Sequence, residues 1–282
     1  MLFDDSAVVA LQDVLAPFDP ILRSASELGG SVAMVSLVVV TFWLCDRKTA
    51  IGIALVLLLS SLLNYGLKQV LAMPRPPEAL HKVSESGYAM PSGHAQASGT
   101  FYTATSRQSG YKWAYLPAGA VVFLVSLSRV YIGVHYLGDV VVGAAIGISV
   151  GLAGTYAWSR LPDMDERSFR RGTLLLTPVL TAVLFVCYAF AWQLVVIVSV
   201  MLGLCVGYLL QLGPSPAPAR TLGQISGRVL VGCLFLVPLM TAILILPNLS
   251  VVFAIALGFI STGPFPWLII RTEARGPREG RE

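Results

Sequence analysis

Residues 128–139 combine a histidine, an aspartate and an arginine at spacings that suit nucleophilic chemistry. His135 and Asp139 are four residues apart, which would place them on one face of a helix. A carboxylate bonded to one imidazole nitrogen fixes the tautomer and leaves the other nitrogen free to attack. Arg129, six residues before the histidine, would add a positive charge. A structural His–Asp pair has the same spacing, so this motif alone leaves both interpretations open.

A second motif places two cations on either side of a turn. Lys68 ends an apolar segment, and Pro74 disfavours helical geometry at the residue before it, so the chain turns ahead of Arg75. Two converging cations fit a dianion such as phosphate, and arginine offers forked N–H groups that bind two oxygens. Two cations that merely reach from a helix end to the membrane surface would look the same.

The third motif, PSGH at residues 91–94, precedes a predicted helix. Ser92 is a preferred helix cap, and Gly93 lets the backbone approach a ligand closely. Backbone N–H groups at a helix start can bind an anion, and His94 follows on the first turn. A capped helix with a histidine at the membrane interface is the alternative interpretation.

Composition shows the environment in which these motifs lie. Of the 282 residues, 56% are hydrophobic and only 12% are charged, whereas soluble domains carry about 25% charged residues. A chain with so few charged residues cannot form a surface that faces water everywhere, so much of its surface must face lipid. This excludes a soluble enzyme, a nucleic-acid-binding protein and a disordered chain. The net charge of +4 is too small to argue for a nucleic-acid partner.

Apolar runs of about 20 residues predict an all-α, polytopic membrane helix bundle with about nine transmembrane helices. The segment 92–106 is short and rich in small and hydroxylated residues, and we include it as a span packed inside the bundle. Residues 1–28 are predicted to form interfacial helices. Residues 161–282 are predicted to form the last four spans and a cytoplasmic tail. The spans lie near 29–45, 51–70, 92–106, 113–131, 139–159, 173–191, 193–212, 228–246 and 249–270.

The distribution of Lys and Arg predicts the orientation, because positive charge concentrates on the cytoplasmic side. With the turn at 45–50 inside, 14 of the 19 cations fall inside. The N-terminus is then outside and the C-terminus cytoplasmic. The acidic N-terminal sequence lacks the basic region of a signal peptide, so we expect no cleaved leader. The five cations outside are Arg23, Lys68, Arg75, Lys82 and Arg129.

In order, the motifs read K-x6-RP, PSGH and SR-x5-H-x3-D. This pattern resembles the three-part signature of the type 2 phosphatidic acid phosphatase (PAP2) superfamily. The resemblance covers roughly residues 51–160 and implies a PAP2-type six-helix catalytic core at about 29–160. The nine-span layout with a rear bundle is similar to the glucose-6-phosphatase branch, whereas the hydrophobicity excludes the soluble vanadium haloperoxidases.

The resemblance also implies roles for the motif residues. His135 would attack phosphorus and become a phosphohistidine, while Asp139 orients it and stabilises the imidazolium. His94 would protonate the leaving oxygen and then act as base on water. The groups that would hold the phosphoryl oxygens are Lys68, Arg75, Ser92, Gly93 and Arg129.

We therefore expect an integral membrane phosphatase that hydrolyses a lipid phosphate or diphosphate at the extracytoplasmic face. The alternatives are a phosphatase for a soluble sugar phosphate, a lipid phosphotransferase with the same site, and a non-enzymatic transporter or lipid-binding protein. Transport needs no nucleophile–acid pair, which argues against the last alternative. No acidic cluster suits a metal, so we expect no cofactor. The expected partners are the lipid phosphate substrate and membrane lipids, with no nucleic acid and no obligate protein partner.

Overall fold

A computed structural model describes residues 2–162, 165–210 and 217–275, with the backbone alone at 166, 192, 193, 247, 267 and 271–275. Every regular element in these ranges is helical, which confirms the all-α class. The main helices, numbered in chain order, are α1 Asp5–Leu15, α2 Asp19–Glu27, α3 Ser31–Leu44, α4 Arg47–Leu71, α5 Gly93–Ser109, α6 Tyr115–Tyr131, α7 Leu137–Ser159, α8 Glu166–Phe190, α9 Trp192–Leu209, α10 Leu222–Ile245, α11 Ser250–Thr262 and α12 Pro264–Arg275.

The protein is an integral membrane protein, because the described ranges contain six helices long and apolar enough to cross a bilayer. The number rises to seven if the bent pair Asp5–Glu27 and Ser31–Leu44 forms one span. Each of the nine segments expected from the sequence overlaps at least one helix. The apolar part of α9, Leu194–Leu209, is shorter than a full span. The count of about nine spans therefore stays a prediction.

The chain divides into two compact units. The first combines the chain up to Met34 with Gly52–Leu161, and it contains all three sequence motifs. The second combines Val35–Ile51 with the described residues from Pro162 onward. The assignment of 1–28 to interfacial helices, 29–160 to the catalytic core and 161–282 to the last four spans and the tail stays a prediction.

Within the first unit, α7 lies directly against α5 because three of its glycines present no side chain. A Cβ on any of them would come within 2.7 Å of a backbone carbonyl oxygen: Gly143 with Ser92, Gly147 with Gln96 and Gly151 with Thr100. This small-xxx-small series therefore packs helices within the bundle. The same packing brings together the starts of both helices, where the Ser92 N–H donates to the Asp139 carbonyl oxygen over 3.0 Å.

The N-terminal helices pack on α6 within the first unit. Val8 of α1 is fully buried in a cluster with Val130, and Leu22 of α2 is buried against Tyr131. The Gln12 amide donates to the carbonyl oxygens of Tyr131 and Leu80 over 3.0 and 2.8 Å. These helices are thus fastened to the bundle, while their position at the membrane surface stays a prediction.

A sharp turn joins α6 to α7. Gly133 has φ of +82°, a region that side chains disfavour. A Cβ at this residue would also lie 2.0 Å from the Leu80 carbonyl oxygen. Glycine is therefore required here, and the turn places His135 immediately before α7 rather than on it.

In the second unit, α9 packs closely on α11 and also contacts α8. Trp43 is buried, and its ring centroid is 4.8 Å from that of Phe265. The buried guanidinium of Arg228 donates to the carbonyl oxygens of Trp43 and Ala217 over 3.0 and 2.8 Å. This unit is an apolar helical bundle whose buried arginine is bonded to backbone carbonyl oxygens of the same unit.

We expect Gly147→Val to destabilise the protein by about 1–3 kcal/mol, because the added side chain must displace the backbone of α5. Gly119→Val is the matched control, since a Cβ on this α6 glycine meets nothing within 4 Å. The measurement is the thermal unfolding temperature of both variants in detergent. Equal unfolding temperatures would show that the α5–α7 contact is not as close as described.

Candidate active site

Lys68 and Arg75 are held by the loop that joins α4 to α5. The ammonium group of Lys68 is buried and donates to the carbonyl oxygens of Tyr88 and Ala89. Arg75 donates through Nε to the Gly87 carbonyl oxygen and through Nη2 to that of Ser86, each over 3.0 Å. Carbonyl oxygens thus satisfy part of each cation without neutralising its charge.

Arg75 also reaches the α6–α7 turn. Its Nη1 donates to the Val134 carbonyl oxygen over 2.8 Å and lies 3.3 Å from Nε2 of His135. The other ring nitrogen of His135, Nδ1, is 3.4 Å from Oδ2 of Asp139. That carboxylate oxygen accepts the Tyr136 backbone N–H over 2.8 Å, and both His135 and Asp139 are buried. The imidazole is thus fixed on one side and faces a guanidinium on the other.

The environment of His135 favours its neutral form. Burial lowers the pKa of His135 well below the usual value for imidazole, and the positive charges of Arg75 and Arg129 lower it further. A neutral imidazole has a free lone pair on one nitrogen, so the residue can act as a nucleophile at neutral pH.

Arg129 meets a carboxylate that the sequence motifs do not include. Its Nη2 donates to Oε2 of Glu85 over 2.6 Å, and its Nη1 donates to Oγ of Ser26 over 3.1 Å. Oε1 of Glu85 also lies 3.7 Å from Nη2 of Arg75. Burial would raise the pKa of Glu85, but Arg129 and Arg75 outweigh it and hold that pKa below its usual value. Glu85 therefore links the two arginines as an anion.

The PSGH motif contributes the start of α5. Ser92 is fully buried, and its hydroxyl has no hydrogen-bond partner within the described part of the chain. A Cβ on Gly93 would lie 3.3 Å from Oδ1 of Asn64, so the glycine permits a close approach to α4. Asn64 in turn donates to the Pro91 carbonyl oxygen and to the Gln96 side chain, which fixes the motif.

His94 lines a cavity of about 250 Å³ together with Arg129 and Glu85. Helix α2 supplies Ser26 and Glu27 to the same cavity. The wall of this cavity thus combines charged and polar side chains, among them an imidazole and a guanidinium, with the apolar Val83 and Ile132.

The eight predicted site residues are connected in the structure, directly or through the α4–α5 loop and the start of α5. Arg75, His135 and Asp139 form one chain of contacts, Glu85 connects Arg129 to it, and the Ser92 N–H bonds to Asp139. Lys68 is connected to these residues through carbonyl oxygens of the α4–α5 loop. Gly93 and His94 are connected to them because they follow Ser92 at the start of α5.

Two of the five cations assigned to the outside have structural roles. Arg23 donates to Asp19 over 2.7 Å and to the Lys82 carbonyl oxygen over 2.9 Å. The ammonium of Lys82 lies 4.8 Å from the centroid of the Tyr131 ring. These residues fasten α2 to the bundle.

Glu85 and Ser26 are the site residues that the sequence interpretation missed. The sequence does contain a signal for Glu85. The predicted cations need a counter-ion, and the loop between two of the cationic motifs contains two glutamates, at 78 and 85. Ser26 carried no such signal, since only the docking of α2 on α6 brings it to Arg129.

Within the described ranges, no group of three or more His, Cys, Asp or Glu side chains could hold a metal ion. The absence of a cofactor stays a prediction.

The known proteins to which this chain is similar include phosphatases of lipid phosphates. The model of the PAP2 superfamily matches residues 49–163, a range that includes every motif residue but not Ser26. Phosphatidylglycerophosphatase B of Bacillus subtilis is 30% identical over 141 residues, which cover 45% of this chain and 69% of the relative. Sphingosine-1-phosphate phosphatase 2 of Mus musculus is 30% identical over 159 residues, covering 52% of this chain and 45% of the relative.

Among solved structures, a transmembrane PAP2-type phosphatidylglycerolphosphate phosphatase from Bacillus subtilis is similar, with 25% identity and a TM-score of 0.49. The match covers 57% of this chain and 89% of that one.

The ordinary pKa of imidazole is about 6.5, and the pKa of His135 is lowered in the folded protein. We therefore expect His135 to stay neutral when the pH falls from about 8 to below about 6.5. The measurement is an NMR titration of protein labelled with ¹⁵N-histidine, in which the His135→Asn variant assigns the signal. Arg75→Gln removes one of the nearby positive charges and should move the titration to higher pH. Protonation of wild-type His135 near pH 6.5 would contradict this account of its environment.

Proposed function

The chain belongs to the PAP2 superfamily, and we propose that it is a membrane phosphatase that hydrolyses a lipid phosphate or diphosphate through a phosphohistidine at His135. The arrangement that supports this mechanism most directly is the imidazole itself. Asp139 holds its Nδ1 side, while Nε2 faces Arg75. A nucleophile oriented by a carboxylate and aimed at a phosphate-binding cation is what the reaction needs.

In the first step, Nε2 of His135 attacks phosphorus and the bond from phosphorus to the leaving oxygen breaks. His94, protonated at this stage, gives its proton to that oxygen. Asp139 accepts the hydrogen bond from Nδ1–H and stabilises the positive charge that develops on the ring. The products of this step are phosphohistidine and the lipid alcohol, or the lipid monophosphate where the substrate is a diphosphate.

In the second step, a water molecule attacks the phosphohistidine. His94, now neutral, takes a proton from the water, and the bond between phosphorus and Nε2 breaks. Inorganic phosphate leaves, His135 is neutral again and His94 has regained its proton. Atoms and charges therefore balance over the cycle without a co-reactant other than water.

Charge that develops on the phosphoryl oxygens would be stabilised by Lys68, Arg75 and Arg129. Two further donors have no hydrogen-bond partner in the described part of the chain although they are buried: Nε of Arg129 and the hydroxyl of Ser92. Buried orphan donors beside a nucleophile fit a site that is completed by a bound oxyanion. The protein cations take the place that magnesium has in many phosphoryl-transfer enzymes.

We place this site at the extracytoplasmic face, with the N-terminus outside and the C-terminus inside. The excess of Lys and Arg in the loops assigned to the inside supports this orientation. Residues 276–282 of the tail lie outside the described residues. A green fluorescent protein fused to the C-terminus should fluoresce, because it folds in the cytoplasm, and a dark but stable fusion would contradict the orientation.

The names of the relatives support a lipid as substrate. The test is phosphate release by the purified protein from a panel of phosphatidylglycerophosphate, phosphatidic acid, sphingosine 1-phosphate and an isoprenoid diphosphate, with glucose 6-phosphate as a soluble comparison. Preference for glucose 6-phosphate over every lipid would contradict a lipid phosphatase. Transfer of phosphate to an added alcohol rather than to water would reveal a phosphotransferase.

The two histidines should differ in how their loss depends on the leaving group. His135→Ala should abolish turnover of every substrate, because it removes the nucleophile. His94→Ala should lower the turnover rate of a lipid monoester by about 10²–10⁴-fold, because the alkoxide leaving group needs a proton. The same variant should lose less of its rate on a nitrophenyl phosphate, because that leaving group needs no proton. Labelled phosphohistidine should then accumulate, because its hydrolysis lacks the base.

The control is His81→Ala, which changes a histidine of the α4–α5 loop whose Nε2 donates to the Pro76 carbonyl oxygen over 2.9 Å. It should keep wild-type rates on both substrates. Rates on the two substrates and acid-labile phosphate incorporation are the measurements. Wild-type activity in His135→Ala would overturn the mechanism, and equal losses on both leaving groups would remove His94 as the acid.

A further inference from the structure

We propose that Glu85 is an internal competitor for the phosphoryl group: its carboxylate occupies the two arginines in the resting site and must be displaced when the substrate phosphate binds. This inference rests on the proposed function, because it assumes that Arg75 and Arg129 bind phosphate. It adds a residue that is not part of the three motifs, and it predicts that removing a site residue tightens binding.

The geometry of Glu85 is that of a bound oxyanion. One carboxylate oxygen lies 2.6 Å from Nη2 of Arg129, and the other lies 3.7 Å from Nη2 of Arg75. A carboxylate and a phosphate present similar pairs of oxygens to a guanidinium fork. The two anions therefore need the same N–H groups and cannot both hold them.

The remaining donors of Arg129 show how little of this cation is free while Glu85 is bound. Nη1 is engaged by Ser26, and only Nε is buried without a partner in the described part of the chain. Withdrawal of Glu85 would free Nη2 beside Nε, which together form one edge of the guanidinium. Such an edge can bind two phosphate oxygens side by side.

Glu85 is also the partner that can move. Its side chain is 32% exposed, compared with 4% for Arg129 and 9% for Arg75. It lies on a loop rather than a helix and borders the cavity of about 250 Å³ that His94 lines. The carboxylate can thus swing into this cavity while both arginines stay fixed by their other bonds.

Competition of this kind has a consequence for turnover. A site with three cations and no counter-ion would hold inorganic phosphate tightly after hydrolysis. A carboxylate that returns to the arginines offsets this, so Glu85 weakens the binding of substrate and of product. The expected effect of its removal is a lower KM and a lower inhibition constant for phosphate.

The experiment compares Glu85→Gln with wild type in detergent, and inorganic phosphate is the probe. The affinity for phosphate is measured by calorimetry and as an inhibition constant. We expect Glu85→Gln to bind phosphate roughly ten-fold or more tightly, since a hydrogen bond between charged groups no longer has to be broken. Glu78→Gln removes a negative charge from the same loop and should change the affinity by less than about two-fold.

If Glu85 only positions the arginines, the outcome is the reverse. Glu85→Gln would then bind phosphate no better than wild type, or more weakly, and the inference would be overturned. If Glu85→Gln does not fold, Glu85→Asp is the substitute, because its shorter side chain weakens the contact with Arg129 and should tighten phosphate binding by a smaller factor. Unchanged or weaker binding in Glu85→Asp would overturn the inference in the same way.

A failure of the proposed function gives a different result. In that case His135→Ala would keep its activity, and Arg129→Gln would leave phosphate binding unchanged. If instead both substitutions cause losses but Glu85→Gln does not tighten phosphate binding, the site stands and only the competition by Glu85 is wrong.

Discussion

The buried cations of this site repel one another, and the surrounding structure has to offset that repulsion. Lys68 and Arg129 are at least nine-tenths buried, and Arg75, on the α4–α5 loop, bonds both to that loop and to the α6–α7 turn. Collecting such charges where water is scarce is costly unless each one is solvated by the protein. The loop from α4 to α5 meets this need through its carbonyl oxygens at residues 86–89 and the carboxylate of Glu85. The loop is therefore a structural part of the site as much as a connection.

The same constraint explains why α5 and α7 must pack so closely. The nucleophile and its carboxylate stand at the start of α7, and the PSGH motif stands at the start of α5. Each would be misplaced if the two helices separated by the width of a side chain. The glycine series of α7 removes that width, and the bond from Ser92 to Asp139 joins the two helix starts directly. Helix packing thus sets the relative position of the motifs.

The motif residues could be predicted from the sequence because their types and spacing follow from the chemistry of phosphate. Glu85 and Ser26 could not be predicted with the same ease, since their roles arise from contacts across 44 and 103 residues of chain. The sequence predicts that His135 and Asp139 share one helix face, whereas the turn at Gly133, with its positive φ, puts the histidine ahead of α7. Each of the nine predicted segments overlaps a helix, but α5, with 17 residues and many polar side chains, is not among the six described helices that are long and apolar enough to cross a bilayer.

Helix α2 contributes to the site from outside the range of the family match. The residues that carry the proposed chemistry all lie within 49–163, the range of the family match. Ser26 and Glu27 lie outside it, yet they line the cavity of His94, the proposed acid for the leaving group. Groups that touch the phosphoryl oxygens are dictated by the reaction, whereas groups on the leaving side meet the part of the substrate that differs from one lipid to another. We therefore expect the selectivity of this enzyme to be determined by α2 and the α4–α5 loop more than by the motifs themselves.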